Sequence, residues 1–143
     1  MSNFINRLQE YIEDGKWTLT KIQQQTNIQH SNLSEYLSDK HLPSYENLLA
    51  LLYLFNCSAD YLLALDEIHT EEPLHPALPF GERLRAIMKE RKVSQGKMIR
   101  DMKISSSALY NWLSGKTLPS TDRLIRIAQY LDCSVDYLIG RRR

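Results

Sequence analysis

The sequence is poor in cysteine, and it lacks long apolar runs. Two cysteines in 143 residues, Cys57 and Cys133, are too few for a disulfide framework, and we expect both to be small buried residues. No stretch approaches the ~18 apolar residues of a membrane span. The N-terminus also lacks a basic segment followed by an apolar one, which a secretion signal needs. We therefore expect a cytoplasmic protein.

Patterns that indicate catalysis or metal binding are missing too. The chain has four histidines: His30, His41, His69 and His75. Their spacing is not typical of a zinc site. We find no glycine-rich phosphate loop and no nucleophile with a recognisable base. The neighbouring carboxylates Glu71 and Glu72 lie in a stretch that we predict to be a linker, where nothing would hold them for acid-base work. The sequence predicts no metal, no cofactor and no enzymatic activity.

One pattern occurs twice in the chain, with a shift of 76 residues. Leu-Pro-Ser at 42–44 matches Leu-Pro-Ser at 118–120, and 57–62 matches 133–138 without a gap. Such a repeat predicts two domains of about 60 residues, each near the lower limit for independent folding. We place the domains and connections as follows: first domain 1–65, linker 66–79, second domain 80–140, basic tail 141–143.

The two halves carry opposite charge. Residues 1–72 contain four Lys/Arg and eleven Asp/Glu, a net charge of −7, whereas residues 73–143 contain fourteen Lys/Arg and six Asp/Glu, a net charge of +8. This polarity suggests that the second half meets a polyanion and the first does something else.

Apolar spacing of three and four residues predicts that each repeat is all-α with five helices. In the second copy we expect helices at 80–91, 95–102 and 106–114, a fourth from 121 and a short fifth from 134. Ser94, Ser105 and Ser120 can cap helix starts, and Gly115 can end the third helix in a left-handed conformation. Two short helices joined by a tight turn, at 95–114, indicate a helix-turn-helix.

Motifs along the second copy resemble a known family. They are Phe-Gly-Glu-Arg-Leu-Arg from 80, Ser-Gln at 94–95, Trp-Leu-Ser-Gly-Lys at 112–116, Leu-Pro-Ser at 118–120 and Cys-Ser-Val-Asp-Tyr-Leu at 133–138. The pattern is similar to the lambda-repressor/Cro-like (Xre-type) helix-turn-helix family, closely over 80–140 and more loosely over 4–64. The resemblance implies two tandem five-helix DNA-binding domains joined by a proline-containing linker.

The resemblance also implies which residues contact double-stranded DNA. In this geometry the third helix lies in the major groove and the second crosses the backbone. The base-contacting set is Ser106, Ser107, Tyr110 and Asn111. The phosphate-contacting set is Gln95, Lys97, Ser105, Ser114, Lys116 and Thr117. Asn111 is the best base reader, because its amide can both donate to and accept from one adenine edge. The tail 141–143 either follows a phosphate strand or is solvated.

The first copy keeps the scaffold but changes these residues. Glu35 stands where the second copy has Asn111, and phosphates repel its charge. Some contacts to a second DNA site stay plausible: His30, Ser31, Ser34 and Lys40. The fourth helix, 45–55, is apolar on all faces, which is typical of a helix buried on all faces. We expect a contact surface, either against the second copy or between subunits of a homodimer: Leu49, Tyr53, Leu63 and Leu65. This copy is then an assembly or regulatory domain, or alternatively a second DNA reader.

Two functions are compatible with these features. The first is a sequence-specific, repressor-like transcriptional regulator of the bacterial or phage type that reads duplex DNA with the second copy. The alternative is a protein-interaction module, such as an adaptor or antitoxin-like protein, that keeps the fold without specific DNA binding. The acidic, leucine-rich first copy favours the alternative.

Overall fold

The computed structural model describes residues 2–67 and 73–142. The chain divides into two compact units, Met1–Glu72 and Pro73–Arg143. Within the described ranges the only regular secondary structure is helix, which confirms the all-α prediction. The expectations for His69, Glu71, Glu72 and Arg143 lie outside the described residues. No helix in the described ranges combines the length and the apolar character that a bilayer crossing requires.

Each unit contains five helices in the same order. In the first unit they are α1 (Ser2–Asp14), α2 (Leu19–Thr26), α3 (His30–Leu37), α4 (Tyr45–Phe55) and α5 (Ala59–Leu62). In the second they are α6 (Phe80–Glu90), α7 (Gln95–Met102), α8 (Ser106–Ser114), α9 (Thr121–Tyr130) and α10 (Val135–Leu138). The pair α7–α8, like α2–α3, is the predicted helix-turn-helix.

Side-chain caps explain why the helices of the second unit begin where they do. The hydroxyl oxygens of Ser94, Ser105, Ser120 and Ser134 each accept a hydrogen bond from the backbone N–H three residues later. Each cap satisfies one of the N–H groups that a helix start leaves without an intrahelical partner. At the other end of α8, Gly115 has φ 82°, a left-handed conformation that glycine adopts without a side-chain clash. The predicted caps are confirmed.

The two units have separate but equivalent cores. Completely buried residues of the first include Leu8, Ile22, Leu33, Leu48 and Leu62. Their counterparts 76 positions later, Leu84, Met98, Leu109, Leu124 and Leu138, are also completely buried. Since the same positions along the repeat fill both cores, the duplication preserved the packing of the fold while the surfaces diverged.

Each unit also contains the same arginine contact between its first and last helices. A guanidinium nitrogen of Arg7 donates to the carbonyl of Tyr61 at 2.6 Å, and Arg83 donates to the carbonyl of Tyr137 at the same distance. Each guanidinium also lies over the tyrosine ring, 3.8 Å from its centre in the first unit and 4.9 Å in the second. The identical arginine of the repeat therefore fastens α5 to α1 and α10 to α6.

The predicted linker and tail meet in the second unit. The N–H of His75 donates to the carbonyl of Arg141 at 2.8 Å, and the N–H of Leu78 donates to that of Ile139 at 2.9 Å. Arg141 is 3% exposed, and its guanidinium lies 3.7 Å from the carboxylate of the completely buried Asp136. Arg141 therefore differs from both expectations for the tail, a solvated segment or one that follows a phosphate strand, because it is buried. A buried charge needs a partner, and Asp136 supplies it.

The apolar helix α4 buries most of its surface in the first unit. Tyr45, Leu48, Leu51 and Leu52 are buried, and Phe55 stacks on Tyr11 with ring centres 5.2 Å apart. Of the predicted contact surface, Leu49 is half-buried, Tyr53 is 49% exposed and Leu65 is 45% exposed. The same expectation needs a correction at Leu63. This residue is only 7% exposed, so it has little side chain to offer a partner.

Candidate nucleic-acid interface

Helix α8 presents a small polar face to solvent. Its apolar residues Leu109, Trp112 and Leu113 are buried, which turns the opposite face outward. On that face Ser106 and Ser107 are exposed and Tyr110 is 66% exposed. Three of the four predicted base-contacting residues are thus accessible together on one helix face.

The fourth, Asn111, is half-buried at the edge of this face. Its backbone carbonyl accepts hydrogen bonds from the N–H of Thr117 at 3.2 Å and from the hydroxyl of Ser114 at 3.3 Å. These two residues belong to the predicted phosphate-contacting set, and the bonds fix them next to the end of α8. Lys116, which lies between them, is exposed.

The start of α8 is held by its cap. The hydroxyl oxygen of Ser105 accepts from the N–H of Ala108 at 3.1 Å, and the hydroxyl of Ser107 lies 3.4 Å from that same oxygen. Ser105 therefore serves first as a structural cap, with an exposed hydroxyl at the point where the helix begins. The turn before it contains Lys103 in a left-handed conformation, φ 55°, which ends α7.

Helix α6 lies so close to the end of α8 that its second residue, Gly81, has no room for a side chain. A β-carbon at Gly81 would lie 2.6 Å from the carbonyl oxygen of Leu113 and 2.7 Å from that of Trp112. The first copy has Ile5 at the matched position. Gly81 thus allows the N-terminus of α6, with its partial positive charge, to meet the C-terminal carbonyls of α8.

Lys97, predicted to contact phosphate, belongs to a small polar network on the outside of α7. Its ammonium lies 3.0 Å from a carboxylate oxygen of Asp101, and the hydroxyl of Tyr130 donates to that oxygen at 2.6 Å. These two contacts, that of Tyr130 above all, lower the pKa of Asp101. Partial burial and the neighbouring carboxylate raise the pKa of Tyr130 to about 12. A phosphate at Lys97 would share that lysine with Asp101.

Gln95 is exposed at the start of α7 and lines an open cleft. The cleft is also lined by Arg85 and Lys89 of α6, two cations that the prediction from sequence missed. The signal that could have found them is their spacing of four residues on the polar face of α6, which places both side chains on one side of the helix.

On the corresponding face of the first copy, Glu35 and His41 form a hydrogen-bonded pair. A carboxylate oxygen of Glu35 lies 2.6 Å from Nε2 of His41, and Nδ1 of that ring lies 3.1 Å from the carbonyl of Leu42. The hydrogen bond to the Glu35 carboxylate, followed by that to Leu42, raises the pKa of His41 above 6.5. The side chain in the position of Asn111 is therefore already engaged by its own domain.

The four plausible contacts of the first copy are in part accessible. His30, Ser31 and Lys40 are exposed, whereas Ser34 is half-buried. The N–H of His30 donates to the side-chain oxygen of Gln23 at 2.8 Å, which links the start of α3 to α2.

Across residues 2–67 and 73–142 we find no group of three potential ligands from His, Cys, Asp and Glu arranged to hold a metal ion.

Comparison with known proteins also identifies helix-turn-helix domains in this chain. The chain is 34% identical over 59 residues to the Repressor protein C2 of Salmonella phage P22, and 39% identical over 62 residues to the HTH-type transcriptional regulator ImmR of Bacillus subtilis. The matches cover 41% and 43% of this chain, but only 27% and 49% of those relatives. No solved structure matches the chain. The family model described as "Helix-turn-helix domain" matches twice, at residues 5–68 and 81–141. The chain therefore belongs to the helix-turn-helix domain family, in its lambda-repressor/Cro-like form, and contains that domain in two tandem copies.

Proposed function

We propose that this protein is a sequence-specific, repressor-like transcriptional regulator that reads the major groove of duplex DNA with α8. The observation that carries the proposal is the exposed, uncharged face formed by Ser106, Ser107 and Tyr110 on a helix whose other face is buried. Hydroxyl and amide groups can bond to base edges, whereas acidic side chains would be repelled by the phosphates on either side. The names of both curated relatives, a repressor and a transcriptional regulator, support the same class of function.

Charge supports the second copy as the reader. The half that contains α8 carries +8 and the half that contains α3 carries −7. Neutralising phosphates with Lys and Arg supplies most of the sequence-independent affinity for DNA. In the first copy, the Glu35–His41 pair occupies the position of the principal base reader. We propose that the first copy is chiefly an assembly domain, which brings two chains to one site through the exposed part of α4.

Two experiments test the proposal. Selection of bound sequences from random duplexes by the full chain should yield a defined site, and a homodimer should select a palindromic one. Titration with salt should then show the electrostatic contribution. If about five phosphates are neutralised, log affinity should fall with log salt at a slope near −4 to −5.

A second function, a protein-interaction module that keeps the fold without specific DNA binding, is favoured by the acidic first copy and the partly exposed apolar residues of α4. That function predicts no enriched sequence in the selection and little dependence of duplex affinity on salt. The two outcomes exclude one another, so the same pair of measurements decides between them.

A further inference from the structure

The cleft between α6 and the start of α7 is a second feature that differs in charge between the two copies. It has a volume of about 280 Å³ and opens to solvent. Its apolar lining comes from Met88, Val93 and Leu113, and its polar lining comes from Arg85, Lys89, Ser94 and Gln95.

The local fold explains why these residues share one cleft. Helix α6 ends at Glu90, and Lys92 follows in a left-handed conformation with φ 58°. The N–H of Val93 then donates to the carbonyl of Met88 at 2.8 Å, which turns the chain back against the last turns of α6. The start of α7, with Gln95, therefore lies beside the helix face that carries Arg85 and Lys89.

Both cations of the cleft are available to a ligand. Arg85 and Lys89 are exposed. In the part of the chain that the structure describes, no carboxylate forms an ion pair with either of them. Two like charges one helical turn apart repel each other, which destabilises an isolated helix slightly. An anion between them would remove that repulsion.

The first copy serves as an internal comparison for this cleft. At the positions matched to Arg85, Lys89 and Gln95 it has Gln9, Glu13 and Leu19. Two positive charges and an amide are thus replaced by one negative charge, an amide and an apolar side chain. The cap position keeps its hydroxyl, as Thr18 in place of Ser94, and its hydrogen bond. The fold therefore does not require the cations, since the other copy forms the same helices without them.

We infer that this cleft binds a backbone phosphate of the DNA duplex, with Arg85 and Lys89 as its charged contacts and Gln95 as a hydrogen-bonding one. The inference rests on the proposed function and extends it, because it adds two contacts on α6 to those expected on α7 and after α8. A phosphate held here would fix the position of the domain along the backbone without reading sequence.

The experiment compares two double variants of the full chain, both of which remove two positive charges. Arg85→Gln with Lys89→Gln changes the cleft, and Arg100→Gln with Lys103→Asn changes exposed positions at the other end of α7. Affinity for a duplex from the selection is measured across a range of salt concentrations. Circular dichroism should show the same helix content in both.

The cleft variant should reduce the salt slope by about 1, because losing the contact to one phosphate removes about 0.9. Its preference among sequences should stay unchanged. Ethylation of single phosphates should identify one that weakens binding of the wild-type chain and has no effect on the cleft variant. An unchanged slope, an equal reduction in the control variant, or the absence of such a phosphate would overturn the inference. A wild-type chain that binds duplex without salt dependence would instead remove the proposed function, and this inference with it.

Discussion

Gly81 and Leu113 are so close that a β-carbon at residue 81 would lie 2.6 Å from the carbonyl oxygen of residue 113. The obstacle is backbone, so it cannot rotate away as a flexible side chain could. The glycine therefore determines how closely α6 approaches the helix that we propose as the reader.

Gly81→Ala should destabilise the second unit by about 1–3 kcal/mol, the usual cost of forcing extra volume into a packed site. Urea denaturation measures the free energy of unfolding. Gly96→Ala is the matched control, because a β-carbon there meets nothing within 4 Å, and alanine in a helix is favoured over glycine by roughly 0.5–1 kcal/mol. Equal stability of the two variants would show that α6 and α8 can separate without cost.

Asn111 is the residue of α8 on which the proposed base readout depends most. Asn111→Ala should cost about 1–3 kcal/mol of binding free energy and relax the preference at one base pair. Lys116→Ala should instead weaken binding to all sequences alike, because the contact we propose for Lys116 is to phosphate, which carries no sequence information. Competition between the selected duplex and duplexes with one altered base pair measures both effects. If neither substitution changes DNA affinity, α8 does not lie in the groove as proposed.

The Glu35–His41 pair of the first copy should respond to pH. Hydrogen bonds to Glu35 and to the carbonyl of Leu42 raise the pKa of His41 above 6.5. A histidine with a raised pKa in the folded state stabilises that state below its unfolded pKa, and the contribution disappears as the pH rises through the folded value. Glu35→Gln should therefore lower the melting temperature at pH 6 and leave it nearly unchanged at pH 9.

Titration of His41 by NMR tests the cause directly. In Glu35→Gln its pKa should fall towards 6.5, whereas the exposed acidic control Glu46→Gln should leave it where it is. A His41 pKa that does not respond to loss of the Glu35 carboxylate would mean that the 2.6 Å contact does not persist in solution.

Helix bounds and caps were predictable because they depend on neighbours in the sequence. Ser94, Ser105, Ser120 and Gly115 end or begin helices by contacts within three or four residues, and the apolar spacing indicates which face is buried. Because each helix pattern occurs twice in the sequence, 76 residues apart, the sequence also predicts two domains.

Contacts that join distant parts of the chain were not predictable in the same way. Arg141 looks like part of a solvated basic run, yet it is buried, beside Asp136 and with a backbone hydrogen bond from His75. In the sequence Leu63 resembles Leu49 and Leu65, and only tertiary packing makes it the buried one of the three. Arg85 and Lys89 became a candidate site once the turn at Lys92 placed them beside Gln95.

The proposed assembly surface on α4 leads to the last prediction. Leu49 and Tyr53 are four residues apart on this helix, the first half-buried and the second 49% exposed, so they form one apolar patch on a single helix face. Leu49→Glu with Tyr53→Glu should place two like charges at the centre of a dimer contact and yield single chains in sedimentation equilibrium. The matched control makes the same change on α9, as Ile125→Glu with Gln129→Glu, and should keep the mass of the wild-type assembly. If the α4 variant folds, as judged by its helix content, and its mass equals that of the wild type, the surface does not hold subunits together. Two chains must then meet elsewhere, or a single chain must occupy its DNA site alone.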